Sequence, residues 1–471
     1  MKYVEEPQRK IEVIEEVDVC VVGGGPGGMP AAIAAAKLGL NVLVVEIYGF
    51  FGGLATTGLM GPIFGYASSG MDGRPLILGG IPVDLVRRLQ KVGGAPDDAL
   101  LKWWAVRFDP EMYKHVCDWM VNDSGAHTLF HSYASNVVMD GDRIDALIVE
   151  SKSGRKAIRA KVFIDATGDG DLAYWAGEDY TKGRQADGLT QPMGTKFIIG
   201  GVDPNAKDLQ PLYQELVWNA IARGELDCYH PVYGEVSDQG VTLRSDERTP
   251  TMTRFKGDAT NVRELTAAEF KIRRDSFNIV EYYKKNVPGF ENAFLRFTPP
   301  HVGIRETRQI GGLDTLRRED VAEYRKQPES TIARGCWFFD IHCPRGKHGS
   351  NARESGLCSR ECRIQPDCYM RLKYNDQLLE TPQFKMTDYY DIPYGTLVPR
   401  KTRNLLVSGR CISADHYAMS SARVIATCLA IGEAAGTAAY VALDSNKDLS
   451  DVNVAKVQCI LRNNGVPLGN D

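Results

Sequence analysis

An apolar run from Val17 to Val22, interrupted only by Asp18, stops at a cluster of glycines. An alanine-rich stretch follows from about Gly27 to Leu38, and a second apolar run ends at Glu46. That order predicts strand, tight turn, helix and strand, as in a parallel α/β sheet. Residues 133–150 and 156–164 instead alternate apolar and polar positions, with turn residues at Asp140, Gly141 and Gly154. Alternation broken by such residues predicts antiparallel hairpins. They lead into KVFIDATGDGDLA, a strand closing at Ala166, Thr167 and Gly168. Between about residues 190 and 395 the pattern changes to mixed strands and polar helices, such as Ala267 to Lys285, with several prolines. A short apolar strand, NLLVSG, returns at 404–409. Ser420 to Leu443 then predicts one long helix, with Gly432 and Gly436 on a single face where it can lie against a strand or a cofactor.

The glycines after Val22 form G-x-G-x-x-G at Gly23, Gly25 and Gly28, with Pro26 and Gly27 between. Standing between a strand and a helix, the first glycine permits the turn and the second admits a pyrophosphate. The third lets the helix pack on the strand. The helix N-terminus offers free N–H groups to the anion. Glu46 falls where an acid holds a ribose hydroxyl pair. The following loop, GFFGGLATTGLMGPIFGY, includes Gly53, Ala55 and Thr56 and suits a wrap around a flat ligand. No second fingerprint in such a context appears downstream, so one dinucleotide site of this kind is expected. The expected architecture is α/β: a Rossmann-like domain built from 1–190 and 396–471, with an α+β substrate domain inserted at 191–395.

Composition narrows the setting. The 471 residues carry a net charge of −4 with lysines and arginines dispersed among carboxylates, which argues against a nucleic-acid partner. The first sixteen residues lack an apolar signal core, and no run of about eighteen apolar residues suggests a membrane span. A cytoplasmic location is the expectation, and with it eleven cysteines that read as thiols or ligands rather than disulfides.

Three segments together resemble the FAD-dependent oxidoreductases of the glutathione-reductase-like fold: GGGPGG with Glu46, FIDATGDGD, and NLLVSGRCISADHYAMSSARVIATCLAIGEAAGTAA. More narrowly, the opening KYVEEPQRKI, the YGFFGGLATTGL loop, GIRETRQI, and the DIH and DIPYGTL segments are similar to a large bacterial family with diverse substrates. The fumarate reductase flavoprotein group is a more distant likeness. The resemblance implies FAD, with Glu46 on the adenosine ribose and Ala166, Thr167, Gly168 and Asp169 near the nucleotide. It also implies that the last helix points its N-terminus at the flavin ring, beside Gly409, Arg410, Ser420 and Arg423. The expected function is hydride transfer between a small polar metabolite and flavin N5, with electrons exchanged with a separate acceptor or donor. A flavin subunit that only relays electrons in a larger complex is the alternative, and association of identical chains is compatible with either.

Candidate catalytic groups follow from local spacing. In CWFFDIH, alternation puts Asp340 and His342 on one face, where the carboxylate would orient the imidazole and raise its basicity. His416, Ser420 and Arg423 share a helix face if the helix starts early, although Ser420 reads more readily as its cap. Arg305 and Arg308 flank Glu306, and Arg305 is a candidate fork for a substrate oxygen. Tyr394 adds a phenol. Residues 343–368 hold Cys343, Cys358, Cys362 and Cys368, with His348 nearby, a set that zinc or an iron–sulfur cluster would accept. Their spacing is not a familiar C-x2-C pattern, which favours free or redox-active thiols.

Overall fold

The computed structural model describes residues 2–67, 76–102, 105–185, 187–206, 215–217, 219–221, 223–228, 242–342 and 388–468. Its main sheet contains β1 (Val13–Val22), β2 (Val42–Val45), β3 (His127–Leu129), β4 (Tyr133–Asp140), β5 (Arg143–Ser151), β6 (Gly154–Asp165) and β7 (Leu405–Val407). The order is β3-β2-β1-β6-β5-β4, with β7 pairing the end of β6. β3, β2, β1, β6 and β7 run parallel, while β4, β5 and β6 form a meander. β6 thus pairs β5 through its first half and β7 through its last three residues. The hairpins expected at 133–164 are present, and Gly141 and Gly154 both take positive φ at their turns.

Every residue of β2 is buried, as is the end of β1 from Val19 to Val22. Such runs belong to parallel strands covered on both faces. The covering helix α1 (Met29–Lys37) is buried from Met29 to Ala35 because two layers enclose it. One is the sheet; the other is a C-terminal helix. That helix was expected as a single rod from Ser420, but the structure breaks it into His416–Ala422 and Ile425–Ser445. Asp415 caps the first piece by accepting from Tyr417 N and Ala418 N, and Val424 leaves the helical path before the second begins. Gly436 faces α1 and Gly432 faces the glycine turn just before it. A Cβ on Gly432 would stand 2.5 Å from Gly27 O, and one on Gly436 would overlap Ala31 O. The piece Ile425–Ser445 is long and apolar enough to cross a membrane by length and composition, and 89% of its apolar window is buried inside the protein.

The inserted unit has its own cores. One gathers Phe197, Ile199, Tyr283 and Phe290, and a smaller one Met193, Ala268, Ile272 and Val302. Both lean on the helix Val262–Asn286, which begins earlier than expected because Asn261 accepts from Arg263 N and Glu264 N. The chain leaves and re-enters the main unit through an antiparallel pair, Tyr180–Lys182 with Arg308–Ile310. Ile310, Ile332, Phe339, Tyr390 and Leu397 then join the main core. The inserted unit therefore closes near residue 307, well before the compositional boundary at 395. Prolines and polar residues persist beyond that point, but the apolar positions pack elsewhere.

Candidate functional site

The parallel strands all end at one edge, and the loops that follow meet there. Gly23 takes φ +101, and a Cβ on it would overlap the carbonyl of Ala166 after β6. A Cβ on Gly28 would overlap Gly23 O, so the helix approaches the strand as the fingerprint requires. Gly52 N donates to Gly24 O, and Ser408 Oγ after β7 donates to Gly27 O at 2.8 Å. Glu46 is buried, its Oε2 accepting from Gly24 N at 2.6 Å and its Oε1 from Tyr48 N at 2.9 Å. Burial pushes its pKa up against those donors. Thr56 Oγ1 donates to Gly53 O, and Ala55 is fully buried beneath the same turn. Asp165, also fully buried, shapes the next loop by accepting from Thr167 Oγ1 at 2.7 Å and Ala173 N at 3.1 Å. Arg410 reaches back to Asp169 Oδ1 at 3.0 Å and lies against Gly168. The dinucleotide residues read from sequence thus converge from four separate stretches of chain.

The residues fit a bound dinucleotide. A Cβ on Gly25 would meet no protein atom closer than Gly53 Cα at 3.4 Å, so the protein's own packing does not demand glycine there. Arg410 Nη1 and Thr427 Oγ1 are buried with no hydrogen-bond partner among the described residues. Each unmet donor costs about 1–3 kcal/mol. A wide cleft of about 1010 Å³ lies elsewhere, at the other end of β1, lined by Glu16, Asp18, Arg143, Lys161 and Asp448. Its charges pair with one another, as in Lys161–Asp18 and Arg143–Asp448. Ligands of such sheets bind beyond the carboxyl ends of the strands, so the glycine loops and not this cleft mark the site.

Beside the loops, the segment 305–308 acts as a hub. His416 Nδ1 lies 2.7 Å from Glu306 Oε1, and both side chains are buried. Thr307 Oγ1 donates to Asp169 Oδ1, and Arg308 bonds Asp169 O and Asp171 Oδ1. Arg305 is buried and donates to Pro192 O at 2.8 Å. A second imidazole stands close by: His342 Nε2 is 3.3 Å from Asp340 Oδ1, while Phe339 and Ile341 point into the core. The alternation read from CWFFDIH is therefore observed, although the strand itself, Thr331–Gly335, ends before it. The chemistry differs from the expectation. Burial outweighs Asp340 and lowers the His342 pKa to about 3, with Arg305 and Arg254 pressing the same way. Arg423 joins the two groups, donating to Asp340 O and to Gln191 Oε1.

One further expectation is corrected. Ser420 is not a cap; its Oγ donates to Tyr417 O within the short helix, and Asp415 caps instead. Tyr394 donates its hydroxyl to Leu449 O at 2.7 Å and is buried. Cys343, Cys358, Cys362, Cys368 and His348 lie outside the described residues. Among those described, no three metal-binding side chains cluster. Sequence reasoning passed over Gln191 altogether and treated Glu306 only as a spacer. Gln191 N donates to Glu306 Oε2 at 2.8 Å, and its Oε1 accepts from His342 N at 3.1 Å. No local signal marks a glutamine before a proline as such a bridge; for Glu306, its place between two arginines was the available hint.

Comparison with known proteins decides the family. Residues 18–461 match the model of the FAD dependent oxidoreductase family. The chain belongs to that family. Membership makes it an FAD-dependent oxidoreductase. The protein is 31% identical to a thiamine thiazole synthase of Methanococcus vannielii over 166 residues, covering 32% of this chain and 56% of that one. It is 27% identical to the probable oxidoreductase OrdL of Haemophilus influenzae over 208 residues, covering 42% and 37%. The chain therefore spans only about half or less of the length of these relatives. Among solved structures, a geranylgeranyl bacteriochlorophyll reductase-like protein of Thermoplasma acidophilum aligns over 95% of this chain and 84% of its own. Its TM-score is 0.40 at 14% identity. A flavin-dependent brominase, Bmp2, aligns over 94% and 84% with a TM-score of 0.45 at 13% identity.

Proposed function

We propose that this FAD-dependent oxidoreductase moves a hydride between a small polar metabolite and the flavin, with electrons passing to or from a separate partner in the cytoplasm. The observation that carries this reading is the buried His416–Glu306 pair, 2.7 Å apart, set between Arg423 and the loops that hold the dinucleotide. Glycines 23, 25 and 28 would admit the pyrophosphate, Glu46 would hold the ribose, and Arg410 would meet acceptors of the ring system. When bound, FAD supplies the two-electron acceptor or donor.

The chain's own groups manage the proton. Glu306 fixes the orientation of His416 through Nδ1, which leaves Nε2 as the ring atom that takes a proton from, or returns it to, a substrate hydroxyl. Gln191 N steadies the far oxygen of Glu306. His342, held neutral by burial, donates or accepts hydrogen bonds without carrying charge.

Anaerobic mixing of the FAD-loaded protein with a panel of hydroxy and keto metabolites, followed at the flavin absorption band, tests this. One class should bleach or restore the band, and His416→Gln should slow that change about 10²-fold or more at unchanged FAD content. Purified protein without flavin, or a variant as fast as the parent, would overturn the reading.

A further inference from the structure

Hydrogen-bond donors collect around Arg423 without acceptors. Its Nη2 serves Asp340 and Gln191, whereas its buried Nε bonds to nothing among the described residues. Gln191, 1% exposed, has its Oε1 engaged by His342 N and by Arg423, while its Nε2 is buried with no partner among those residues. Folded proteins pair nearly all such groups, so adjacent unmet donors call for an acceptor-rich ligand. Two further guanidinium groups stand nearby, alongside the carboxylates of Asp340 and Glu306 that act on Arg423. Arg305 and Arg254 both act on His342, and the Nη1 atoms of both lie 3.1 Å from where a Cβ on Gly194 would stand. Asp340 is 31% exposed, which marks the side on which the cluster meets solvent.

We propose that Arg423 and Gln191 recognise a carboxylate of the substrate, which makes the substrate a small carboxylic acid. This rests on the oxidoreductase reading and narrows it. A guanidinium presents its N–H groups as a planar fork matched to a carboxylate, and the Gln191 amide adds a second direction of approach. Because Gln191 N also holds Glu306, which in turn holds His416, one residue ties the carboxylate to the proton-moving pair.

Malonate and its neutral diamide, malonamide, separate charge recognition from mere fit. The FAD-loaded full-length protein is titrated with each while the flavin spectrum and the thermal midpoint are followed. Malonate should act at concentrations at least tenfold lower. Gln191→Glu preserves the backbone bond to Glu306 and both acceptor contacts but replaces the Nε2 donor with an acceptor. It should weaken malonate tenfold or more and retain FAD, and Arg423→Lys, which keeps the charge and loses the fork, should weaken it as well.

Equal responses to acid and amide, or a Gln191→Glu variant that binds malonate like the parent, would overturn the assignment. So would variants that lose FAD or alter the ligand-free flavin spectrum at unchanged malonate affinity, because the donors would then belong to the flavin. FAD content is measured first on every sample. A flavin-free parent protein would count against the oxidoreductase reading instead, and the thermal midpoint would still report on the anion.

Discussion

Glu306 and His416 are 110 residues apart in sequence, yet Glu306 Oε1 lies 2.7 Å from His416 Nδ1 with both side chains buried. The contact joins the re-entry segment of the inserted unit to the short helix that follows β7. A carboxylate in that position fixes the tautomer of an imidazole, as in other buried acid–histidine pairs. Glu306→Gln should therefore leave FAD in place and slow flavin reduction about 10²-fold or more. Single-turnover kinetics on variant and parent at equal flavin content is the check, and equal rates would remove Glu306 from proton handling.

Gly25 and Gly28 belong to one motif but answer to different constraints. Gly28 is held by the protein, since a Cβ there would overlap Gly23 O, whereas Gly25 has room for one. Gly28→Ala should lower the stability of the protein with or without FAD by about 1–3 kcal/mol or more, the scale of overpacking in a tight core. Gly25→Val should unfold close to the parent's midpoint when flavin-free and fail to retain FAD. Thermal unfolding of apo and loaded samples separates the two, and flavin retained by Gly25→Val would refute the fingerprint assignment.

Glu433 sits in the core helix Ile425–Ser445 and accepts from Ile81 N at 2.8 Å, at the start of the helix Gly80–Lys91. Burial raises its pKa from 4.5 to about 7. A carboxyl whose folded pKa is raised binds its proton more tightly in the folded state. Its contribution is full below about pH 4.5 and is lost as pH rises through about 7, an effect on the order of 3 kcal/mol. Glu433→Gln should flatten the stability curve across that window in denaturant titrations, and an unchanged slope would show that another group sets it.

His342 titrates in the opposite sense. Its folded pKa of about 3 lies below the ordinary 6.5, so its contribution to stability is present above about pH 6.5 and declines as pH falls toward 3. Its ring should remain neutral from pH 8 to pH 5 in imidazole NMR. A protonation midpoint near 6 to 7 would contradict the burial argument and return His342 to consideration as a base.

Much of the dinucleotide half was legible because its signals are local. The glycine spacing, Glu46 and the period-2 hairpins each lie within a few residues of the structure they dictate. The break at Arg423 and Val424 was hidden because the apolar, alanine-rich pattern runs through it without a proline or glycine. The division at residue 307 was hidden for a similar reason: Ile310, Ile332 and Tyr390 look alike in sequence whichever core they enter. Gln191 bridges Glu306 and His342, partners more than a hundred positions away, and nothing in its own surroundings encodes that.

Ser408 closes the fingerprint turn by bonding Gly27 O, 381 positions earlier in the chain, and the core helix behind it seats Gly432 on the same turn and Gly436 on α1. The cradle is thus built from the start of the chain and a segment made long afterwards. At about 5–20 residues per second, roughly 20–80 s of translation separate Gly27 from Ser408. Throughout that interval the nascent protein carries a glycine turn with one wall missing. A chain ending before β7 therefore lacks one wall of the cradle, which is complete only once Ser408 has been made.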